Sequence, residues 1–211
     1  MPFLHITTRI PDHPYDKLLS EKGGTGFPTL MFLDDQGRKL MKHSGARTPD
    51  GFADSLEEAN DFLALIRKVE GGDKRQAGAV FIRQLENEWF GHEEALQRYE
   101  ELGKVKSKEK KRIEALLVDS EVRSRVADAG KDDRKRLEAG AHFVKMWKAK
   151  RTPSDARTSY QFWAFIADHA EAKGDKKLFK SAIGGFEDSP AGKNSRYRRF
   201  QKELEKRLKS L

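Results

Sequence analysis

The chain has 211 residues, of which 36% are hydrophobic and 36% are charged, and it carries a formal net charge of +8 and no cysteine. The lack of cysteine excludes disulfides, thiolate nucleophiles and zinc sites built on cysteine. No apolar run approaches the roughly 20 residues that a bilayer span requires, and the N-terminal stretch lacks the features of a signal peptide, so we expect a cytoplasmic protein.

The first elements are predicted to be a strand, a short helix and a β-hairpin. Residues 3–10 are rich in β-branched residues and predict the strand. A helix over residues 14–22 follows, with proline in its first turn and two glycines at its end. The apolar run TLMFL, the turn DDQG and a more polar segment then predict a hairpin over residues 29–44.

A long amphipathic helix is predicted after the hairpin. Thr48, Pro49 and Asp50 are typical of a helix start, because they supply an N-cap, a first-turn proline and a first-turn acid. The apolar residues that follow at helical spacing are Phe52, Leu56, Ala59, Leu63 and Ile66. We expect this helix to cover one face of the hairpin.

The composition changes at EGGDKRQ, where we place the boundary between a domain of residues 1–70 and a domain of residues 71–211. The first domain has 9 Lys and Arg against 11 Asp and Glu, whereas the second has 33 against 23. The second domain is predicted to be all-α, with helices over residues 74–89, 91–102, 107–129, 132–150, 154–173, 176–187 and 195–209. Short joints between them favour antiparallel hairpins, so the protein is expected to be mostly helical.

Two segments of the second domain, EEALQRYEEL and FEDSP, are similar to the second helix of tetratricopeptide repeats. In that helix a small residue precedes an aromatic residue by four positions, and proline closes the unit. The full repeat pattern does not recur along the chain. We therefore predict an irregular array of helical hairpins.

The stretch GFPTLMFLDDQGRKLMKHSGARTPDGFADSLEEA resembles the second half of thioredoxin-like proteins. Its Gly-Phe-Pro-Thr matches the cis-proline loop of that family, and Gly45 matches the glycine after the last strand. The resemblance covers residues 3–66 and implies a partial thioredoxin-like domain. It also implies a peptide-binding edge formed by Gly26, Phe27, Pro28 and Thr29. The alternative that we favour is that Pro28 fixes a tight turn.

The part of the thioredoxin-like fold that carries Cys-x-x-Cys has no counterpart in this sequence. One missing strand would lie between the two strands predicted at residues 3–10 and 29–33, so the backbone groups of both need other partners. The two strands could pair directly, another chain could fill the gap, or the sequence could be a late-start fragment, which is the explanation that we prefer. An incomplete sheet also predicts self-association.

No motif for catalysis, metal binding or cofactor binding is found. The six histidines are scattered and none pairs with another at metal-ligand spacing. A phosphate-binding glycine loop and a nucleophile elbow are both missing. The aromatic stretch YQFWAFIADHA could offer a stacking surface, but aromatic residues on such a helix are typical of a core.

The C-terminal stretch KNSRYRRFQKELEKRLKSL contains eight basic residues and two acidic ones. Its candidate contacts to an anionic partner are Arg196, Arg198, Arg199 and Lys202. Interleaved with Tyr197 and Phe200, these cations could contact phosphates while the rings stack on bases. We favour the alternative of an amphipathic helix that packs Phe200, Leu204 and Leu208 inward and leaves its cations in solvent.

The sequence therefore predicts a non-catalytic protein-interaction module that binds a protein or peptide and needs no cofactor. A first alternative is a fragment of a thiol-disulfide redox protein whose cysteine motif lies upstream. A second alternative is a basic accessory protein that binds nucleic acid.

Overall fold

The computed structural model describes residues 18–22, 24, 26 and 28–211. Helices dominate these residues, and an antiparallel sheet of two strands lies near their start, so the prediction of a mostly helical protein is confirmed. The strand predicted at residues 3–10 and the first part of the helix predicted at residues 14–22 lie outside the described residues.

The described residues divide into two compact units, one ending at Trp89 and the other comprising Phe90–Leu211. The first contains α1 (Leu18–Glu21), β1 (Met31–Leu33), β2 (Lys39–Lys42), α2 (Pro49–Glu70) and α3 (Ala77–Glu86). The second contains α4 (His92–Glu101), α5 (Ser107–Ala129), α6 (Asp133–Lys148), α7 (Ala156–Ala172), α8 (Lys176–Asp188) and α9 (Arg198–Ser210).

The division between the units falls after Trp89, whereas the sequence places a boundary after residue 70. Hydrogen bonds from two residues just after α3 explain why the unit extends beyond residue 70. Asn87 donates a hydrogen bond to the carbonyl oxygen of Leu40 at 2.8 Å, and the indole of Trp89 donates to that of Lys39 at 2.5 Å. These bonds fasten the end of α3 to β2, so α3 belongs to the same unit as the hairpin.

In the first unit, α2 packs against the hairpin formed by β1 and β2. Phe32 lies opposite Met41 in the antiparallel register. The hydroxyl of Thr48 accepts a hydrogen bond from the backbone N–H of Gly51 at 3.2 Å, which is the predicted cap of α2. The core residues of this unit include Leu40, Ala59, Phe62, Ile66 and Val80.

The apolar stripe predicted for α2 is only partly buried. Ala59 and Ile66 lie in the core, but Phe52 is 36% exposed and Leu56 is 48% exposed. Phe62, which the predicted stripe omits, is fully buried instead. A hairpin of two strands covers only a narrow face of the helix, so apolar residues on the flank of that face stay in solvent.

In the second unit, α5 contacts α4, α6 and α7, and α7 packs between α6 and α8. Arg136 near the start of α6 pairs with Asp168 late in α7, and Trp147 at the end of α6 contacts Trp163 earlier in α7. These two contacts show that α6 and α7 are antiparallel. The aromatic residues buried in this core are Phe143, Phe162, Trp163, Phe165, Phe179 and Phe186.

The helices of the second unit start and end close to the predicted residues. The bounds of α5 are those predicted from the sequence. The last helix begins at Arg198 instead of residue 195, because Ser195–Tyr197 form a 3-10 turn. Asn194 caps this turn by accepting a hydrogen bond from the backbone N–H of Arg196 at 3.0 Å.

Candidate functional site

The predicted peptide-binding edge is described only in part. Gly26 and Pro28 are exposed, and the hydroxyl of Thr29 donates a hydrogen bond to the carbonyl oxygen of Gly26 at 2.5 Å. Phe27 lies outside the described residues, and so does the cis peptide bond predicted before Pro28. The described atoms form a local turn that is closed by its own side chain.

A histidine and a serine meet in the first unit. Nδ1 of His43 lies 2.8 Å from the hydroxyl oxygen of Ser55, and the imidazole stacks on Phe52 with 4.4 Å between ring centroids. The other ring nitrogen of His43 is buried and has no hydrogen-bond partner among the described residues, so no described acid orients the ring as in a Ser-His-acid triad. Both residues are buried, and the pair is a packing contact between β2 and α2.

The second unit contains a buried carboxylate, Glu121 of α5, that links three segments. It accepts hydrogen bonds from Nε2 of His142 at 2.7 Å and from the guanidinium of Arg151 at 2.5 Å. Burial alone would raise the pKa of Glu121, but these hydrogen bonds and the nearby positive charges hold it below its usual range. The carboxylate therefore stays ionised and ties α5 to α6 and to the loop after α6.

Asp119, two residues earlier in α5, anchors the same loop. It is 1% exposed and accepts hydrogen bonds from the backbone N–H of Ser154 at 2.7 Å and from its hydroxyl at 2.6 Å. Burial raises the pKa of this carboxyl, an effect that the bonds from Ser154 oppose only in part. Ser154 engages both oxygens of Asp119, and His142 and Arg151 engage the two oxygens of Glu121, so we interpret both acids as structural groups.

Local sequence analysis missed these two acids. All residues from 116 to 122 of α5 are buried, so the helix is covered on every side at this level. The sequence did contain one signal that the acids are buried, namely the apolar residues around them: Leu116, Leu117, Val118 and Val122. No group of three or more metal-binding side chains is found among the described residues.

Replacing Glu121 by glutamine is expected to destabilise the protein by about 1–2 kcal/mol at neutral pH, because a buried hydrogen-bonded charge is removed. The folded-state pKa of Glu121 is lowered, so its stabilisation is present above the unfolded-chain pKa of about 4.3. It is lost as pH falls through the folded-state pKa. Urea unfolding of both proteins across the acid range measures this.

The matched control for E121Q is Glu138→Gln, because Glu138 is exposed and pairs with Arg134 at 3.1 Å. That change is expected to alter stability by less than about 0.5 kcal/mol. An E121Q protein as stable as the wild type at neutral pH would contradict the structural role of Glu121.

The last helix packs by its apolar side. Leu204 is fully buried, and Phe200 and Leu208 pack against the core of the second unit. Tyr160 of α7 stacks on Tyr197 with 4.8 Å between ring centroids and meets Phe200 edge-on at 4.7 Å. The aromatic residues interleaved with the basic residues are therefore engaged with the protein.

The four predicted anion contacts remain on the outside, at the start of α9. Arg196, Arg198, Arg199 and Lys202 are all exposed, and none of them forms an ion pair with a described residue. Arg207, near the end of the same helix, differs because it pairs with Asp168 at 2.8 Å and also with Glu171. The cations at and just before the start of α9 are thus unpaired by described residues, whereas Arg207 near its end is held in ion pairs.

Comparisons with protein-family models, with curated proteins and with solved structures find no match to this chain. The resemblance to thioredoxin-like proteins therefore gains no support from them. Among the described residues, no helix combines the length and the apolar character needed to cross a membrane.

Proposed function

We propose that this chain is a non-enzymatic protein-interaction module that binds an acidic polypeptide segment. The binding site is the basic surface, which we define as Arg196, Arg198, Arg199 and Lys202. The observation that carries the proposal is that these cations are exposed and unpaired by described residues, while the rings between them pack on Tyr160.

The chemistry of the basic surface suits carboxylates. A guanidinium presents a planar fork of donors that matches a carboxylate in a bidentate arrangement. Residues 90–211 carry 30 Lys and Arg against 20 Asp and Glu, so their net positive charge attracts anions from a distance. The same unit already contains guanidinium–carboxylate ion pairs, between Arg207 and two acids and between Arg151 and Glu121.

Nucleic acid is the second candidate. Single strands are held by base stacking on exposed rings as well as by charge. One face of Tyr197 is occupied by Tyr160, and Phe200 packs inward, so the rings of this surface offer less area for base stacking than free aromatic side chains would.

The redox alternative and the peptide-binding edge at Gly26, Phe27, Pro28 and Thr29 stay predictions. Thiol-disulfide exchange needs a thiolate, and this sequence has no cysteine to supply one. A peptide held at that edge would be bound through the backbone and not through charge. The two binding modes are therefore distinguished by their dependence on salt.

Replacing all four residues of the basic surface by alanine is expected to weaken binding of a labelled glutamate-rich peptide strongly. At roughly 0.5 kcal/mol for each exposed pair, the loss is about 30-fold. Fluorescence anisotropy at about 50 and about 200 mM salt measures it, and the wild-type affinity should fall with salt.

The matched control removes four exposed lysines between the end of α7 and the first turns of α8, namely Lys173, Lys176, Lys177 and Lys180. It lowers the net charge equally, and we expect less than about a threefold loss because screened charges act over short distances. An equal loss in both variants would show that net charge alone attracts the peptide. Tighter binding of a DNA duplex than of the peptide would favour nucleic acid instead.

A further inference from the structure

The contacts between α7 and α9 fix the relative direction of these helices. Tyr160, near the start of α7, contacts Tyr197 and Phe200 at the start of α9. Asp168, two turns later in α7, pairs with Arg207 near the end of α9. Because the contacts advance along both helices together, the helices are parallel and their N-terminal ends lie at the same end of the unit.

Arg157 stands at that end of α7. It precedes Tyr160 by three positions, so it lies on the same face of the helix and one turn closer to the N-terminus. On the neighbouring segment, Arg196 immediately precedes Tyr197. Since Tyr160 and Tyr197 are stacked, Arg157 and Arg196 lie at the same end of the unit, one on each side of the stack.

No described acidic side chain forms an ion pair with Arg157. It is exposed, and its hydrogen bond to Asp155 is made by the backbone N–H and not by the guanidinium. Asp155 is occupied as the cap of α7, where it also accepts from the backbone N–H of Thr158, and it lies 3.9 Å from Arg123. Lys193, in the loop before α9, is exposed as well and adds a further positive charge at this end.

We infer that the basic surface extends across the Tyr160–Tyr197 stack to Arg157, and that its ligand is an extended acidic polypeptide with carboxylates on both sides of that stack. The inference rests on the proposed function, because it names the shape of the same ligand. A segment with one compact acidic block would reach only the α9 side. A segment with two separated acidic blocks would be held by α7 and α9 together.

The test uses the full chain and two labelled peptides of equal composition, one with its glutamates in a single block and one with two blocks separated by glycine and serine. Arg157→Ala is expected to weaken binding of the two-block peptide about threefold and of the one-block peptide less than about 1.5-fold. The control Lys180→Ala, which removes one exposed charge from α8, should change neither affinity by more than about 1.5-fold.

The variant Arg157→Lys keeps the positive charge but removes the planar guanidinium, so it measures the contribution of charge alone. It should retain part of the selectivity for the two-block peptide. Because the Arg157 side chain is exposed, R157A should keep the helical circular dichroism of the wild type. Unchanged peptide binding by R157A, together with loss of binding in the fourfold α9 variant, would overturn this inference and leave the proposed function standing. If neither R157A nor the fourfold variant weakened peptide binding, both this inference and the proposed function would be overturned.

Discussion

Replacing Phe162 by alanine is expected to destabilise the protein by about 3–5 kcal/mol. Phe162 is fully buried in α7, and its ring lies 5.2 Å from that of Phe143 and 5.1 Å from that of Trp163, measured between centroids. The substitution removes the transfer free energy of the ring and leaves a cavity between α6 and α7. Urea unfolding followed by far-ultraviolet circular dichroism measures the loss.

A loss of this size approaches the total stability of a small domain, so Phe162→Leu provides a milder second variant, with an expected loss of about 1–1.5 kcal/mol. Phe52→Ala is the control for the same chemical change at a surface. Phe52 is 36% exposed and stacks on His43, so its removal is expected to cost about 1 kcal/mol. A smaller loss in F162A than in F52A would contradict the placement of the core.

Replacing Gly140 by alanine is expected to destabilise the protein by about 1–3 kcal/mol, although alanine is the better helix former. A Cβ atom at Gly140 of α6 would clash with the carbonyl oxygen of Phe165 in α7 and would lie 2.8 Å from Cβ of His169. Backbone atoms of α7 cannot move aside without displacing the helix. The glycine is therefore required by the close approach of α6 and α7.

Gly184 of α8 is the matched control, because a Cβ atom there would meet nothing within 4 Å. Gly184→Ala is expected to stabilise the protein by about 0.5–1 kcal/mol through helix propensity and a less flexible unfolded chain. The two glycine variants should thus shift the urea midpoint in opposite directions. Shifts of the same sign would contradict the helix packing described for α6 and α7.

The elements that local sequence predicts well are those with strong local signals. The bounds of α5 follow from its long helical segment and a glycine at its end, and the cap at Thr48 follows from residue type and position. Burial of Phe200, Leu204 and Leu208 follows from their spacing on an amphipathic helix.

The features that the sequence does not show depend on distant partners. In the sequence, Asp119 and Glu121 look like solvent-exposed charges. Their hydrogen-bond partners, Ser154, His142 and Arg151, are far along the chain, so no local pattern reveals these contacts. The placement of Arg157 and Arg196 at one end of the unit depends on the stacking of Tyr160 on Tyr197. The unit boundary depends on bonds from Asn87 and Trp89 back to β2, which composition cannot reveal.

A nuclear magnetic resonance titration of the isotope-labelled chain with the two-block acidic peptide locates the bound peptide on the protein. Backbone amide and arginine Nε–H shifts report binding residue by residue. If the basic surface and Arg157 bind the peptide, the largest changes occur at residues 193–202 and at Arg157, and they diminish as salt is raised. Changes centred on Gly26 and Thr29, or on the lysines at the start of α8, with none at α9, would contradict binding at the basic surface.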